Sequence, residues 1–295
     1  MIRRASTAMM TTAARILAGV PELPEVETTR RWIAPALEGR RLVDVDVRRD
    51  RMARRNDRPR DVKERLTGRR VGGVGRIGKF IIAQVEGDLR WIMHLGMSGR
   101  LQLAHPDVPD DVHTNFVATT ESGLELRFVD PRTFGFVAVF TPDEWDSSSM
   151  RHLGPDALDA LPTSRELQDR LAHRTTPIKA SLLDQRIVAG IGNIYADEIL
   201  HRARIGPVRP AGSLSGKEIA ALRRAVRPIL EDGLRHGGTS LDDLAYLLPD
   251  GRAGTYVDRL AVYGRTGEPC RNCGTPIERV VVAQRSSHFC PVCQR

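Results

Sequence analysis

The sequence predicts an α+β protein in three consecutive parts: an antiparallel β-rich half behind a leading helix, a helical middle, and a small cysteine-stapled C-terminal module. Three observations predict it. Apolar residues recur at period two through Arg41–Phe140 and at helical period from Arg165 to Leu247, and all four cysteines lie in the last 26 residues. A chain of 295 residues has room for about two domains with cores of their own. With 41% hydrophobic and 28% charged residues, the composition excludes a collagen, a disordered acidic tail and a membrane bundle. The formal net charge of +8 admits nucleic acid or an anionic membrane as partner and does not choose between them.

Residues 1–20 carry three arginines and no acid. Their uncharged run is rich in Ser and Thr and is cut short by Arg15, which makes a poor export signal. A disordered tail is one reading. The other is that translation starts at Val20, since a GTG codon is read as Met at initiation. Pro21–Leu37 reads as a helix, with Pro24 in the first turn, Glu25 and Glu27 near the positive end, and Val26, Thr29, Ile33 and Leu37 on one face. Val43, Val45 and Val47 then alternate. Short strands follow at Phe80–Val85, Leu89–Met93, Phe116–Thr119, Leu124–Val129 and Phe136–Phe140, the pattern of a half-buried sandwich or barrel.

Arg48–Lys79 reads as loop-rich and holds 13 basic against 4 acidic residues, either a solvated face or an electrostatic footprint. Thr141–Thr163 has the composition of a linker. Helices are expected over Arg165–Ala172, Pro177–Leu183, Asn193–Leu200, Gly216–Gly233 and Ser240–Leu247. Before the third, Gly190-Ile191-Gly192-Asn193 makes a tight turn at a helix start, where unpaired N–H groups suit a phosphate; alone, that signal is weak.

Cys270-Arg-Asn-Cys273 and Cys290-Pro-Val-Cys293 are two C-x₂-C pairs with 16 residues between them. Four thiolates from two such knuckles form a closed structural zinc site, and the pairwise spacing disfavours two disulfides. With no ligand position open, one Zn²⁺ would hold a hairpin too short for a core, and no organic cofactor is expected. From Arg259 onward the chain has six arginines and two glutamates, so this module is basic as well.

The run Pro21-Glu22-Leu23-Pro24-Glu25-Val26-Glu27 resembles the amino terminus of the formamidopyrimidine-DNA glycosylases, which remove 8-oxoguanine and ring-opened purines from DNA. The likeness continues, in order, through Arg76-Ile77-Gly78-Lys79-Phe80, His94-Leu95-Gly96-Met97-Ser98-Gly99, Asp130-Pro131-Arg132-Thr133-Phe134-Gly135 and Leu183-Asp184-Gln185. It resumes at Gly190–Glu198, Gly237-Gly238-Thr239-Ser240, Val262-Tyr263-Gly264-Arg265 and the cysteine hairpin, so it covers nearly all of the chain from Pro21. The resemblance implies an N-terminal β-sandwich over 21–141, a linker over 142–163, a helix–two-turn–helix domain over 164–254 and a zinc hairpin over 255–295. It also implies base excision repair of duplex DNA by a glycosylase that is an abasic-site lyase too, ending in β,δ-elimination. A cytoplasmic monomer working on the nucleoid, with no membrane partner, is the expected setting.

The residue types fit that chemistry. Opening a sugar through a Schiff base needs an amine, and an α-amine near pH 8 is neutral far more often than an exposed lysine. The resemblance assigns this nucleophile to Pro21. A proline still joined to Val20 has an amide nitrogen and cannot attack, so the active chain is expected to begin at Pro21. Glu22 is the expected general acid/base. Lys79 and Arg285 resemble the family's phosphate- and lesion-side cations. His94, His113, Arg174, Lys179 and Asn193 match DNA-binding positions, while Glu25 and Glu198 match carboxylates near the site, where ion pairing is an equal reading. Met97, Arg132 and Phe134 match the trio that fills the space a flipped nucleotide vacates. In an extended segment Arg132 and Phe134, two apart, would share one side.

Three other readings compete. The endonuclease VIII branch prefers oxidised pyrimidines, but it usually opens with a PEGPE-like run where this chain has Leu23, and it lacks the wedge pattern. A non-catalytic DNA- or RNA-binding relative would have lost Pro21, Glu22 or Lys79. A ribosome-associated zinc ribbon leaves the β-rich half unexplained. Ala245–Val257, with its Gly and Pro, falls where relatives carry a loop over the lesion.

Overall fold

A computed structural model describes residues 21–241 and 246–295. The leader, residues 1–20, lies outside the described residues. Helix α1 (Leu23–Leu37) starts with proline in its first turn, and Glu25 reaches back to the Glu22 N–H at 2.9 Å. Then come β1 (Leu42–Val47), a 3-10 turn (Asp50–Ala53), α2 (Pro59–Leu66) and the strands β2 (Val71–Ile77), β3 (Phe80–Val85), β4 (Leu89–His94), β5 (Arg100–Ala104), β6 (Thr114–Thr120), β7 (Glu125–Val129) and β8 (Phe136–Phe140). They form two four-stranded antiparallel sheets, ordered β1-β6-β7-β5 and β2-β3-β4-β8. One core joins them, with Val45, Phe116 and Phe128 from the first sheet meeting Ile81, Trp91 and Val137 from the second. This is a sandwich.

Three elements depart from the sequence reading of this half. Arg48–Lys79 is not mainly loop: it contains α2 and β2, and β5 was not anticipated either. Strand β2 reads Val-Gly-Gly-Val-Gly-Arg-Ile, and a register shift separates Val71 from Val74. Its buried valines are therefore three apart, and glycines occupy positions where alternation would otherwise be visible. Helix α2 buries only Val62 and Leu66 among its apolar residues, so charge masks it.

The expected linker folds in part, as α3 (Pro142–Ser147) and a 3-10 turn (Ser149–His152). Helices α4 (Ser164–Leu171), α5 (Ile178–Leu183), α6 (Asn193–Ala203) and α7 (Gly216–Arg235) follow. Thr163 and Ser215 cap α4 and α7 in reciprocal pairs with Glu166 and Glu218. No helix forms at the described ends of Ser240–Leu247; residues 242–245 lie outside the described residues. Ser240 donates from its hydroxyl to the Tyr246 carbonyl and accepts from the Gly254 N–H, both at 2.8 Å. Strands β9 (Glu278–Val282) and β10 (Arg285–Phe289) form the terminal hairpin.

Helix α1 belongs to both halves. Leu23 lies in the helical core with Tyr195 and Leu222, while Val26, Ile33 and Leu37 lie in the sandwich core. Beside it, the buried Arg76 guanidinium bonds Asp156 at 2.5 and 3.0 Å and pairs with Glu27 at 3.2 Å. The Gly78 N–H donates to Asp156 at 2.7 Å, so the two-residue β2–β3 turn that carries Lys79 is pinned to the other half. No described helix is long and apolar enough to cross a membrane.

Candidate active site and nucleic-acid interface

Glu22 precedes α1 yet caps a different helix. Its Oε1 accepts from the Ile194 N–H at 2.8 Å and its Oε2 from the Tyr195 N–H at 3.3 Å, the open end of α6. Gly192 makes room for this, because an added Cβ would collide with the Glu22 carboxyl carbon and with Lys79 Nζ. The predicted glycine turn thus receives a carboxylate of the chain itself, and Glu22, Lys79 and the start of α6 meet at one point beside Pro21. At 2% exposure, burial pushes the Glu22 carboxyl up from 4.5 to about 7, against the pull of Lys79 and with a push from Glu25. Such a group exchanges protons at neutral pH. Burial holds Lys79 below the usual lysine range, opposed by Glu22 and Glu25 and reinforced by Arg285.

Glu25 and Glu198 make no ion pair among the described residues. Glu25 Oε1 accepts from the Tyr195 hydroxyl at 2.8 Å and the Thr239 N–H at 2.7 Å. Glu198 accepts from the N–H groups of Ala261, Val262 and Tyr263 at 2.8–3.0 Å. One helix turn therefore holds the chain that enters the terminal module. Its neighbour Asp197 does the same for β10, accepting from Ser287 Oγ at 2.9 Å and the His288 N–H at 2.8 Å.

Lys179 is corrected by the structure. It was expected to face phosphate, but it is fully buried, pairs with Asp197 at 2.8 Å and donates to the Ser286 carbonyl at 2.5 Å. Its charge is spent on seating β10, next to Arg285. Arg285 itself is exposed at the start of β10, and its charge reaches both Lys79 and Lys179. The turn before it, Ala283-Gln284, has φ of +47° and +62°, the left-handed pair that a two-residue hairpin demands. Asn193 opens α6; its Nδ2 makes only a long 3.4 Å contact with the Tyr263 hydroxyl, and its Oδ1 is buried without a partner. Arg174 is half-buried and lies 3.9 Å from Asp184, and His113 is half-buried at the entry to β6.

His94 lies between the Phe80 and Phe136 rings, at 4.7 and 5.4 Å. Burial, then Lys79, Arg54 and Arg55, pushes its pKa down to about 4, so the ring is neutral. Its Nδ1 accepts from the Gly96 N–H at 3.2 Å, which leaves Nε2–H as the donor.

Met97, Arg132 and Phe134 come together at the surface. Arg132 lies 3.8 Å from Met97 Sδ and its guanidinium sits 5.1 Å from the Phe134 ring centre, while Phe134 is 41% exposed. The segment is not extended: Thr133 has φ of +52°, so a turn, not strand alternation, puts Arg132 and Phe134 together.

The four cysteines converge, with their Sγ atoms all within 4.8 Å of one another. Three of the separations, Cys270–Cys293 at 4.0 Å and Cys273 to Cys290 and to Cys293 at 3.5 Å, are close to the edges of a thiolate tetrahedron around zinc, about 3.8 Å for bonds near 2.3 Å, and are far too long for disulfides. The donor set fits one structural Zn²⁺ held by Cys270, Cys273, Cys290 and Cys293.

Neither Tyr195 nor Asp197, nor the brace around Arg76, had been singled out from sequence. Their signal is a polar residue on an otherwise apolar helix face, or a charged one beside glycine, which only the packing makes specific.

Family models match three parts of the chain: the formamidopyrimidine-DNA glycosylase N-terminal domain over residues 20–137, the H2TH domain of the same proteins over 153–244, and a zinc finger found in FPG and IleRS over 267–295. A formamidopyrimidine-DNA glycosylase of Gluconobacter oxydans is 43% identical over 281 residues, spanning 94% of this chain and all of the relative. The Thermus thermophilus MutM (FPG) structure superposes with a TM-score of 0.83 at 41% identity, covering 93% of this chain and 98% of that one. The Lactococcus lactis Fpg, solved with abasic-site DNA, gives 0.84 at 34% identity, covering 93% of this chain and all of that one.

Proposed function

The chain belongs to the formamidopyrimidine-DNA glycosylase family, and from that membership we infer that it excises oxidised purines from duplex DNA and then cleaves the abasic sugar. The Lactococcus lactis relative has been solved both with abasic-site DNA and with Fapy-dG DNA, the two stages of such a reaction. The observation that carries the residue assignments is the seating of Glu22: a buried carboxyl with a pKa of about 7, beside Pro21 and against Lys79.

Pro21, once free of Val20, presents a secondary amine. Its lone pair attacks C1′ of the damaged nucleotide, and the base leaves with the electrons of the glycosidic bond and takes up the proton that the amine gives up. Glu22 gives its proton to the ring oxygen, the C1′–O bond opens, and an iminium remains. A secondary amine cannot form a neutral imine. The positive charge therefore stays on nitrogen and acidifies the C2′ hydrogen, whose loss as a proton expels the 3′ phosphate; a second elimination expels the 5′ phosphate, and water then hydrolyses the iminium, releasing the sugar remnant as an aldehyde and Pro21 as the free amine. Lys79, Arg285 and Asn193 would hold the flanking phosphates, since the charge of exposed Arg285 already reaches Lys79, and two like charges so placed favour an anion between them. Neutral His94 would donate from Nε2, and Arg174 and His113 would extend the contact. Met97, Arg132 and Phe134 would fill the vacated space. All these groups lie on one chain, so a monomer suffices.

The active form begins at Pro21. In support, the family match starts at residue 20, and 93% of this chain takes up the whole of a 42% identical Herpetosiphon aurantiacus relative. Borohydride trapping on a duplex with 8-oxoguanine tests the reading: protein starting at Pro21 forms an adduct through that residue, and protein retaining residues 1–20 forms none. An undiminished adduct through another amine in the longer protein overturns it.

A further inference from the structure

The loop that carries the surface trio has little packing of its own, for Pro131, Arg132 and Phe134 are all exposed. It is gripped from two sides instead. Asp130 takes its N–H groups: Oδ1 accepts from Arg132 N at 3.2 Å and from Ser98 Oγ at 2.6 Å, and Oδ2 from Gly135 N at 2.7 Å. Arginines near the Asp50–Ala53 turn take its carbonyls. Arg54 bridges two in succession, donating to Phe134 at 2.7 Å and Gly135 at 2.6 Å, and Arg51 reaches Thr133 at 3.2 Å. The left-handed Thr133 between them is a conformation that persists only where the surroundings hold it.

We propose that Arg54, seconded by Arg51, is a positioning residue for nucleotide extrusion: it fixes the backbone of Phe134 and Gly135 so that Arg132 and Phe134 enter the duplex as one rigid wedge. The proposal rests on the wedge reading given above. Arg54 belongs to a basic stretch that would ordinarily be taken for phosphate contacts, but its fork is already committed. One guanidinium nitrogen serves Gly135 and the Arg51 carbonyl, which it meets at 2.8 Å, the other serves Phe134, and the group lies 5.3 Å from the Phe136 ring centre. A lysine has no planar fork with which to bridge two adjacent carbonyls in this way.

The test compares single-turnover cleavage of a duplex carrying 8-oxoguanine with that of the same duplex carrying a preformed abasic site. Arg54→Met should slow 8-oxoguanine excision by at least about tenfold, within the roughly 10²-fold that a 1 Å misplacement costs. Abasic cleavage should change by less than about threefold on the same grounds. Arg54→Lys should fall between, and 2-aminopurine opposite the lesion should report slower filling of the vacated space. Parallel losses on both substrates overturn the proposal: with a shallower salt dependence they make Arg54 a phosphate contact, and with a lowered Tm they make it a mere support of the fold. Phe134→Ala run alongside separates the two ideas. If it slows excision selectively and Arg54→Met does not, the brace is wrong and the wedge stands; if it shows no selectivity, the wedge reading itself fails.

Discussion

Glu22 and Phe134 are held in opposite ways. Glu22 is 2% exposed, and its oxygens are met by N–H groups of α6. Phe134 is 41% exposed, and what is gripped is its backbone. In the proposed reaction the first end controls a proton, which requires exclusion of water and fixed dipoles. The second would control a shape, which requires a rigid main chain and a side chain left free to meet bases. Substitutions at the two ends should therefore separate by substrate.

The largest effect is expected from Glu22→Gln, which removes the proton donor. Both excision and abasic cleavage should drop by roughly 10²–10⁴-fold. The pH profile sharpens the point. With the carboxyl raised from 4.5 to about 7, the protonated acid needed for ring opening is lost as pH rises through about 7, so that limb should vanish in the variant. Stability follows the same sign. Ionising Glu22 is disfavoured in the fold, so its penalty is absent below pH 4.5, grows up to about pH 7 and is constant above; Tm of Glu22→Gln relative to the parent should rise across that window.

Gly192→Ala comes next. The new Cβ has to displace Glu22 or Lys79, and a shift near 1 Å should cost about 10²-fold on both substrates, read by the same two assays. Equal activity would mean that the close approach is unimportant. Met97→Ala belongs to the other end and should slow excision by about tenfold while affecting abasic cleavage less, since it trims the wedge alone. The smallest effect is expected from Arg285→Gln, which should lower the slope of log affinity against log salt by about 0.9. Cys290→Ser should reproduce that slope change with loss of zinc, because the hairpin that carries Arg285 loses its staple.

Much of this was legible in the residues, for reasons that differ by region. The cysteine spacing is chemistry written in sequence, and the strands from Phe80 onward stand out as short apolar runs between turns because both faces are covered, Ile81, Trp91 and Val137 by the sandwich core and Ile82, Ile92 and Ala138 by a second apolar cluster. Strand β2 was illegible because its glycines carry no side chains to alternate. Lys179 misled because sequence records a charge and not its direction; only the packing of Asp197 against β10 turns it inward. Arg54 is hidden among the thirteen basic residues of the stretch 48–79, where composition cannot distinguish a guanidinium that meets phosphate from one that meets carbonyls.

The seating of Glu22 also has a consequence for the order of events during synthesis. On the proposed roles of Pro21 and Glu22, the reactive end leaves the ribosome first, but the N–H groups that hold Glu22 lie 172 and 173 residues further on. Until α6 has emerged and docked, the carboxyl is a solvated one of ordinary acidity and the amine beside it has no partner acid. The nascent sandwich can therefore fold while chemically silent, and the enzyme is armed only when its two halves close on each other.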